Sequence, residues 1–256
     1  MKGLKFIFLL LAAMGFNKVS YAANIELEEI IQAEHIEELS QKVAILYIYV
    51  HERMNIAYSQ KEFKKSLLLL DRTIKNFNAN SNPEIEGLVE FMKFTYDELK
   101  LIINEPFSKE NAAFIIDYSE SLLEASEGIK SVALSKISMT KDLQMSVKLH
   151  EMENLVERAN RYYIAFHIGL KDDNNLNQMV NTLSAFNKNL KYINTYKYTG
   201  KEAKTLNSVK KVWKSTQSFF KKIEENSLPR VVLSSSTYLT KLIDQLATFH
   251  EKKLGE

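Results

Sequence analysis

Cysteine is absent from the 256 residues, and glycine and proline are scarce at 7 and 3. Without thiols there is no thiolate nucleophile, no iron–sulfur ligand, no CxxCH haem attachment and no disulfide framework, so the fold has to rest on its core. So few helix breakers, in a chain whose apolar residues recur at three- and four-residue steps, predict an almost entirely helical protein. Catalytic signatures are missing too: there is no HExxH, GxSxG, phosphate loop or GxGxxG. The residues three before His35, His51, His150, His167 and His250 are Gln32, Ile48, Val147, Ile164 and Ala247, which leaves no ExxH pair for a di-iron bundle. Neither enzymatic activity nor a cofactor is expected.

The one apolar run of note is at the start. Lys2 and Lys5 precede Phe6–Phe16, and Ser20-Tyr21-Ala22 follows with small residues, the pattern of a secretory signal peptide over residues 1–22. Cleavage is expected after Ala22, with Ala23 as the alternative. The run is about half of the roughly 20 residues that span a bilayer, and no later run is longer, so the mature chain is expected to be periplasmic without membrane insertion. Cleavage removes Lys2, Lys5 and Lys18, turning 34 basic against 32 acidic residues into 31 against 32. With basic and acidic residues interspersed, no electrostatic footprint for nucleic acid or anionic lipid is expected.

Turn signals at 76–83, 104–108, 171–175, 194–200 and 226–229, with a weaker one at 58–60, divide the chain into helices. The first half is expected to hold four, at about 25–57, 60–77, 83–103 and 108 onward. Each has one apolar stripe, as in Ile36, Leu39, Val43, Leu46 and Val50, so they should form an up-down four-helix bundle. The second half repeats the plan. At an offset of 116, Leu39 falls on Leu155, Tyr47 on Tyr163, His51 on His167 and Leu67 on Leu183. After one inserted loop residue, Tyr96 falls on Trp213 and Leu122 on Leu239. The predicted fold is therefore all-α, with two tandem bundles at 23–135 and 136–256. One connection is open to two readings. The fourth helix runs straight into the fifth, joining the bundles end to end as a rod, or it breaks near Ser135–Ser138.

The repeated phrase, IEELSQKVAILYIYVH at 36–51 and MENLVERANRYYIAFH at 152–167, carries the polar residues of interest. Lys42 and Arg158 are aligned cations and Arg161 stands one turn on. On a helix surface they would sit in water or in pairs such as Glu38–Lys42 and Glu157–Arg161. Facing a neighbouring helix they would hold an oxyanion, Arg in two-point contact. His51 and His167 occupy equivalent places, but the second lacks the acid that Glu52 supplies beside the first, so they read as duplicated scaffold rather than metal ligands.

Leu39, Ser40, Gln41, Lys42, Ala44 and Tyr47 match the LSQRxAKxY part of the motif GRQRMLSQRxAKxY, with Lys42 in place of Arg. This resembles helix one of the PilJ-like domain, the N-terminal domain of type IV pili methyl-accepting chemotaxis transducers, related to the NarX nitrate sensor. The second copy keeps Leu155, Arg158 and Tyr163, and the KVWKS stretch at 211–215 is also similar. The resemblance implies an extracytoplasmic sensory four-helix domain, pairing as a dimer through helix one. Its site residues would be Ser40, Gln41, Lys42, Arg158 and Arg161. Its partner would be a small ligand, an anion among the candidates, or a membrane signalling protein. His35 and Glu37 stand where the family has its two Arg, which argues against nitrate. The other expectation is a structural or adaptor protein that docks on pilus or envelope components.

Overall fold

The computed structural model describes residues 18–79, 82–171, 173–225 and 227–254. Among them are eight helices and no strand: α1 Lys18–His51, α2 Ile56–Lys75, α3 Pro83–Ile103, α4 Lys109–Leu134, α5 Lys141–His167, α6 Asp173–Ile193, α7 Gly200–Lys221 and α8 Pro229–Leu254. The leader expected at 1–22 lies outside the described residues up to 17, and 18–22 form the first turns of α1.

Local chemistry sets most of the boundaries. Asn82 caps α3, its side-chain oxygen accepting from the amides of Glu84 and Ile85 at 3.1 and 3.4 Å, with Pro83 in the first turn. Ser108 accepts from Asn111 N at 3.0 Å at the start of α4. The connection left open by the sequence is broken: α4 stops at Leu134, and Thr140 starts α5 by accepting from Leu143 N at 3.2 Å. The end-to-end rod joined by one long helix is thereby corrected, because the six intervening residues let α5 fold back along α4.

The weak break expected at 58–60 is also displaced, to Glu52–Asn55. There Arg53 adopts φ 54° and the amide of Met54 bonds Tyr49 O at 2.9 Å, closing a left-handed helix end. At the matching place in the second half Gly169 has φ 93° and Leu170 N bonds Ala165 O at 3.0 Å. The same turn is thus made twice, once with glycine, which suits the positive φ, and once with arginine, and neither residue lies within the turn signals at 58–60 and 171–175.

Each half closes around its own core. In the first, α1 packs on α2 and α4, and α3 on α4, burying residues such as Ile36, Val43, Ile74, Met92, Leu99 and Leu122. In the second, α5 packs on α6 and α8, and α7 on α8, around Leu149, Val156, Phe186, Trp213, Phe220 and Leu239. Aligned residues do aligned work: Tyr96 lies beside Asp71, and Trp213 Nε1 donates to Asn187 Oδ1 at 2.8 Å, Asp71 and Asn187 being 116 apart.

The halves lie side by side through α1 and α5. Glu34 is beside His150, Asn154 Nδ2 donates to Glu37 Oε2, Lys42 is beside Glu157 and Tyr49 is beside Tyr163. The partners rise together in number, so the two helices run parallel with residues about 116 apart as neighbours. Ile164 and Ala165 of α5, with Ile168 just after it, belong to the first core, so the apolar contact is shared.

The left-handed helix end gives a direct prediction. Replacing Arg53 by Gly is expected to raise the unfolding free energy by about 1 kcal/mol, and Gly169→Ala to lower it by about 1–2 kcal/mol. Urea denaturation of the two variants checks both signs.

Candidate functional site

Successive residues of a helix point about 100° apart, so Ser40, Gln41 and Lys42 cannot all face one neighbour. Ser40 and Gln41 are fully buried towards α4. Ser40 Oγ donates to Glu37 O at 3.0 Å within its own helix, and Gln41 Nε2 donates to Ser119 O of α4 at 3.2 Å. Lys42 turns to the other side of α1, where it pairs with Glu38, its side chain 40 % exposed, with Glu157 of α5 nearby.

The two arginines of α5 reach the same stretch of α4 from the opposite direction. Arg161 is 0 % exposed; its Nη1 donates to Ser119 Oγ at 3.1 Å and to Ile116 O at 3.4 Å, and its Nη2 to Glu120. The guanidinium lies 4.5 Å from the centre of the Tyr162 ring, and the Tyr162 hydroxyl donates to Glu120 Oε1 at 3.3 Å. Arg158 holds the other oxygen of Glu120 and stands 3.8 Å from Glu127. Three of the five residues expected to form a site, Gln41, Arg158 and Arg161, thus converge on Ser119–Glu120, while Ser40 bonds only within its own helix and Lys42 lies apart. The Glu38–Lys42 pair forms as expected, but Arg161 takes Glu120 in place of Glu157. Buried between helices, it can reach a carboxylate that also faces inward, whereas Glu157 bonds Asn160 at 3.5 Å.

Residues passed over in the sequence complete the seam. Glu37 binds Lys130 of α4 at 2.6 Å and Asn154 of α5, tying three helices at one carboxylate oxygen. Burial pushes its carboxyl up to about 8 against the pull of the Lys130 ammonium. Further round α5, His150 lies between two carboxylates, 3.0 Å from Glu153 and 2.8 Å from Glu251 of α8. Burial opposes charge on the ring, but Glu34 and these two acids hold it well above its ordinary value. Burial in turn raises Glu153 to about 7. The only sequence signal for this seam was Arg158 and Arg161 interrupting an apolar stripe at a three-residue step.

At the convergence point Gln41 and Arg161 are fully buried. Several buried polar atoms there lack a protein partner: Glu37 Oε1, Gln41 Oε1, Arg158 Nε and Arg161 Nε. Their mixture of donors and acceptors suits ordered water or a small polar guest. His51 and His167 do not join the seam; His51 stacks on Phe107 at 4.4 Å, and His167 Nδ1 is 2.8 Å from Ser227 Oγ. Among the described residues no cluster of three or more His, Asp and Glu is arranged to hold a metal, and no helix is long and apolar enough to cross a membrane.

Comparison of the chain with family models, with curated proteins and with solved structures found no match.

Two predictions follow from the charges buried here. Glu120→Ala leaves Arg161 buried without its carboxylate and is expected to cost about 3–5 kcal/mol. In a double-mutant cycle with Arg161→Met, the double variant should be less destabilised than the sum by about 1–3 kcal/mol, read by urea denaturation. The second concerns pH. Glu37, Glu153 and His150 all bind protons more tightly when folded than when unfolded. The contribution of Glu37 and Glu153 is therefore fullest in mild acid and is lost as pH rises through about 5 to about 8, and that of His150 is lost as pH rises above the ordinary imidazole range. The melting temperature should fall over that window, and Glu37→Gln should flatten the slope.

Proposed function

We propose that this is an exported, non-enzymatic binding protein of the PilJ-like sensory type. Its two tandem units pair internally through their first helices, and it presents a small ligand or partner to a membrane signalling protein in the periplasm. The observation that carries this reading is the parallel pairing of α1 with α5, which brings a signature residue of one copy, Gln41, to the same stretch of α4 as Arg158 and Arg161 of the other. A family that dimerises through helix one would gain the same juxtaposition from two chains. In this chain Glu120 supplies the carboxylate that the guanidiniums hold, so an anionic ligand would enter by displacing it or by taking the place of water beside it. The leader-like residues 1–22 support export, and the absence of catalytic motifs from the sequence supports a binding role.

The adaptor reading has its own support. Phe91, Phe94 and Leu101 lie at helical spacing along α3 and are 47, 64 and 62 % exposed, a stripe suited to a protein surface.

Thermal melting against a panel of small anions and metabolites separates the two. A true ligand at 100 times its dissociation constant adds about 2.7 kcal/mol of stability. The expected outcome is a rise with at least one compound that Arg158→Ala abolishes and that Lys42→Ala, on the other side of α1, leaves in place. A flat response across the panel, in the parent and both variants, would leave the adaptor reading in its place.

A further inference from the structure

The near-neutral charge of the whole chain conceals two opposite regions. Residues 23–173 hold 17 basic against 26 acidic residues, whereas residues 174–223 hold ten lysines against one acid, Glu202. The expectation that basic residues are interspersed with acidic ones is corrected here: it holds for the average and fails for α6 and α7.

Five of these lysines project away from the core of the second half. On α7 the buried residues Leu206, Val209, Trp213 and Phe220 define the inward face, and Lys204, Lys211 and Lys214 project from the opposite half of the helix. Lys188 and Lys191 lie likewise opposite the inward Leu183 and Phe186 of α6. All five are exposed, and no ion pair to any of the ten lysines occurs among the described residues. Neighbours such as Lys188 with Lys191 and Lys211 with Lys214 stand three residues apart, where like charges repel. Trp213 braces the two helices from below, stacked on Phe186 at 3.8 Å. Above it the helices leave an open groove of about 490 Å³ lined by Asn187, Leu190, Lys191, Asn194 and Lys210. Lys210 bonds the side-chain oxygen of Asn194 at its edge.

We propose that this face docks on a membrane surface bearing anionic phospholipid, with a phosphate headgroup seated in the groove between Lys191 and Lys210. Two observations favour that occupant. The basic residues of 174–223 are all lysine, hydrated point charges that suit a diffuse phosphate surface; arginine, whose fork reads bases and structured carboxylates, is absent from the segment. Of the aromatic side chains that could stack on single-stranded bases, Trp213 and Phe220 are buried, and the exposed Tyr192 is held by its hydroxyl to Gln144 of α5 at 2.7 Å. A second copy is the competing occupant, because its acidic half exposes Glu84, Glu86, Glu105 and Glu110, and self-association is therefore one of the outcomes of the test. No helix is inserted in this arrangement: the contact is peripheral, held by charge and weakened by salt. It goes beyond the sensory reading and does not depend on it, since the α1–α5 seam takes no part.

Co-sedimentation of the purified protein with phosphatidylcholine vesicles, with and without phosphatidylglycerol, tests it. Binding is expected only to the phosphatidylglycerol vesicles, falling steeply as salt rises from about 0.05 M to about 0.5 M. Each lysine near such a surface contributes about fivefold to partitioning, so K191Q/K210Q/K214Q should weaken it about a hundredfold. K61Q/K64Q/K65Q on α2 removes the same charge elsewhere and should leave binding nearly unchanged. Equal melting temperatures of the two triple variants exclude misfolding as the cause. The proposal is overturned by equal binding to both vesicles, by no binding, or by equal losses in the two variants. Binding to duplex DNA or salt-sensitive self-association in place of vesicle binding would overturn it as well.

Discussion

A guanidinium with no exposure to water must have its charge answered inside the protein, and Arg161 has only α4 to answer it. Glu120 does so together with Ser119 Oγ and Ile116 O, which fixes α5 against α4 in both rotation and height. Slipping α5 by one turn would carry the charge about 5.4 Å away and strand both partners. The apolar layers between the halves tolerate small displacements; the ion pair does not. It therefore specifies which residues of α1 and α5 become neighbours more than it adds to stability, and the Glu37–Lys130–Asn154 tie repeats that constraint further along.

Duplication copied the geometry of the bundles and left their polar chemistry free to diverge. The helix ends at Arg53 and Gly169 have the same hydrogen bonds, and the pairs Tyr96 with Asp71 and Trp213 with Asn187 keep the same brace beneath the second and third helices. Around α1 and α5 the two sides differ. Towards α4, arginine and lysine match the carboxylates of Glu37, Glu120 and Glu127. Towards α8, Glu153 and Glu251 depend largely on His150, and protons supply what cations do not. Hence the pH sensitivity resides mostly in buried acids and not in the surface.

Helical class, the repeat and boundaries marked by capping residues were legible, because each depends on neighbours in the chain: α3 begins and ends at 83 and 103 as its Asn-Pro start and apolar stripe require. The end of α1 was not, because arginine in a left-handed turn has no signature of its own. Of the site, the aligned cations were visible and their partners were not. Glu120 is 38 and 41 residues from Arg158 and Arg161, and which carboxylate faces them is decided by how α4 folds back on α5. The basic face was present in the composition but cancelled in the average, and becomes evident when charge is counted helix by helix.

A symmetric pair of separate chains must carry every substitution on both sides of its axis, so a buried arginine gained by one is gained by both and must be answered twice. Joining the units by the short stretch Ser135–Thr140 lifts that obligation. Ile45 stands where Arg161 has its counterpart, and the seam needs one Glu120, not two. The tether also keeps the units at high effective concentration whatever the protein level, so their pairing is independent of dilution in the compartment that holds them.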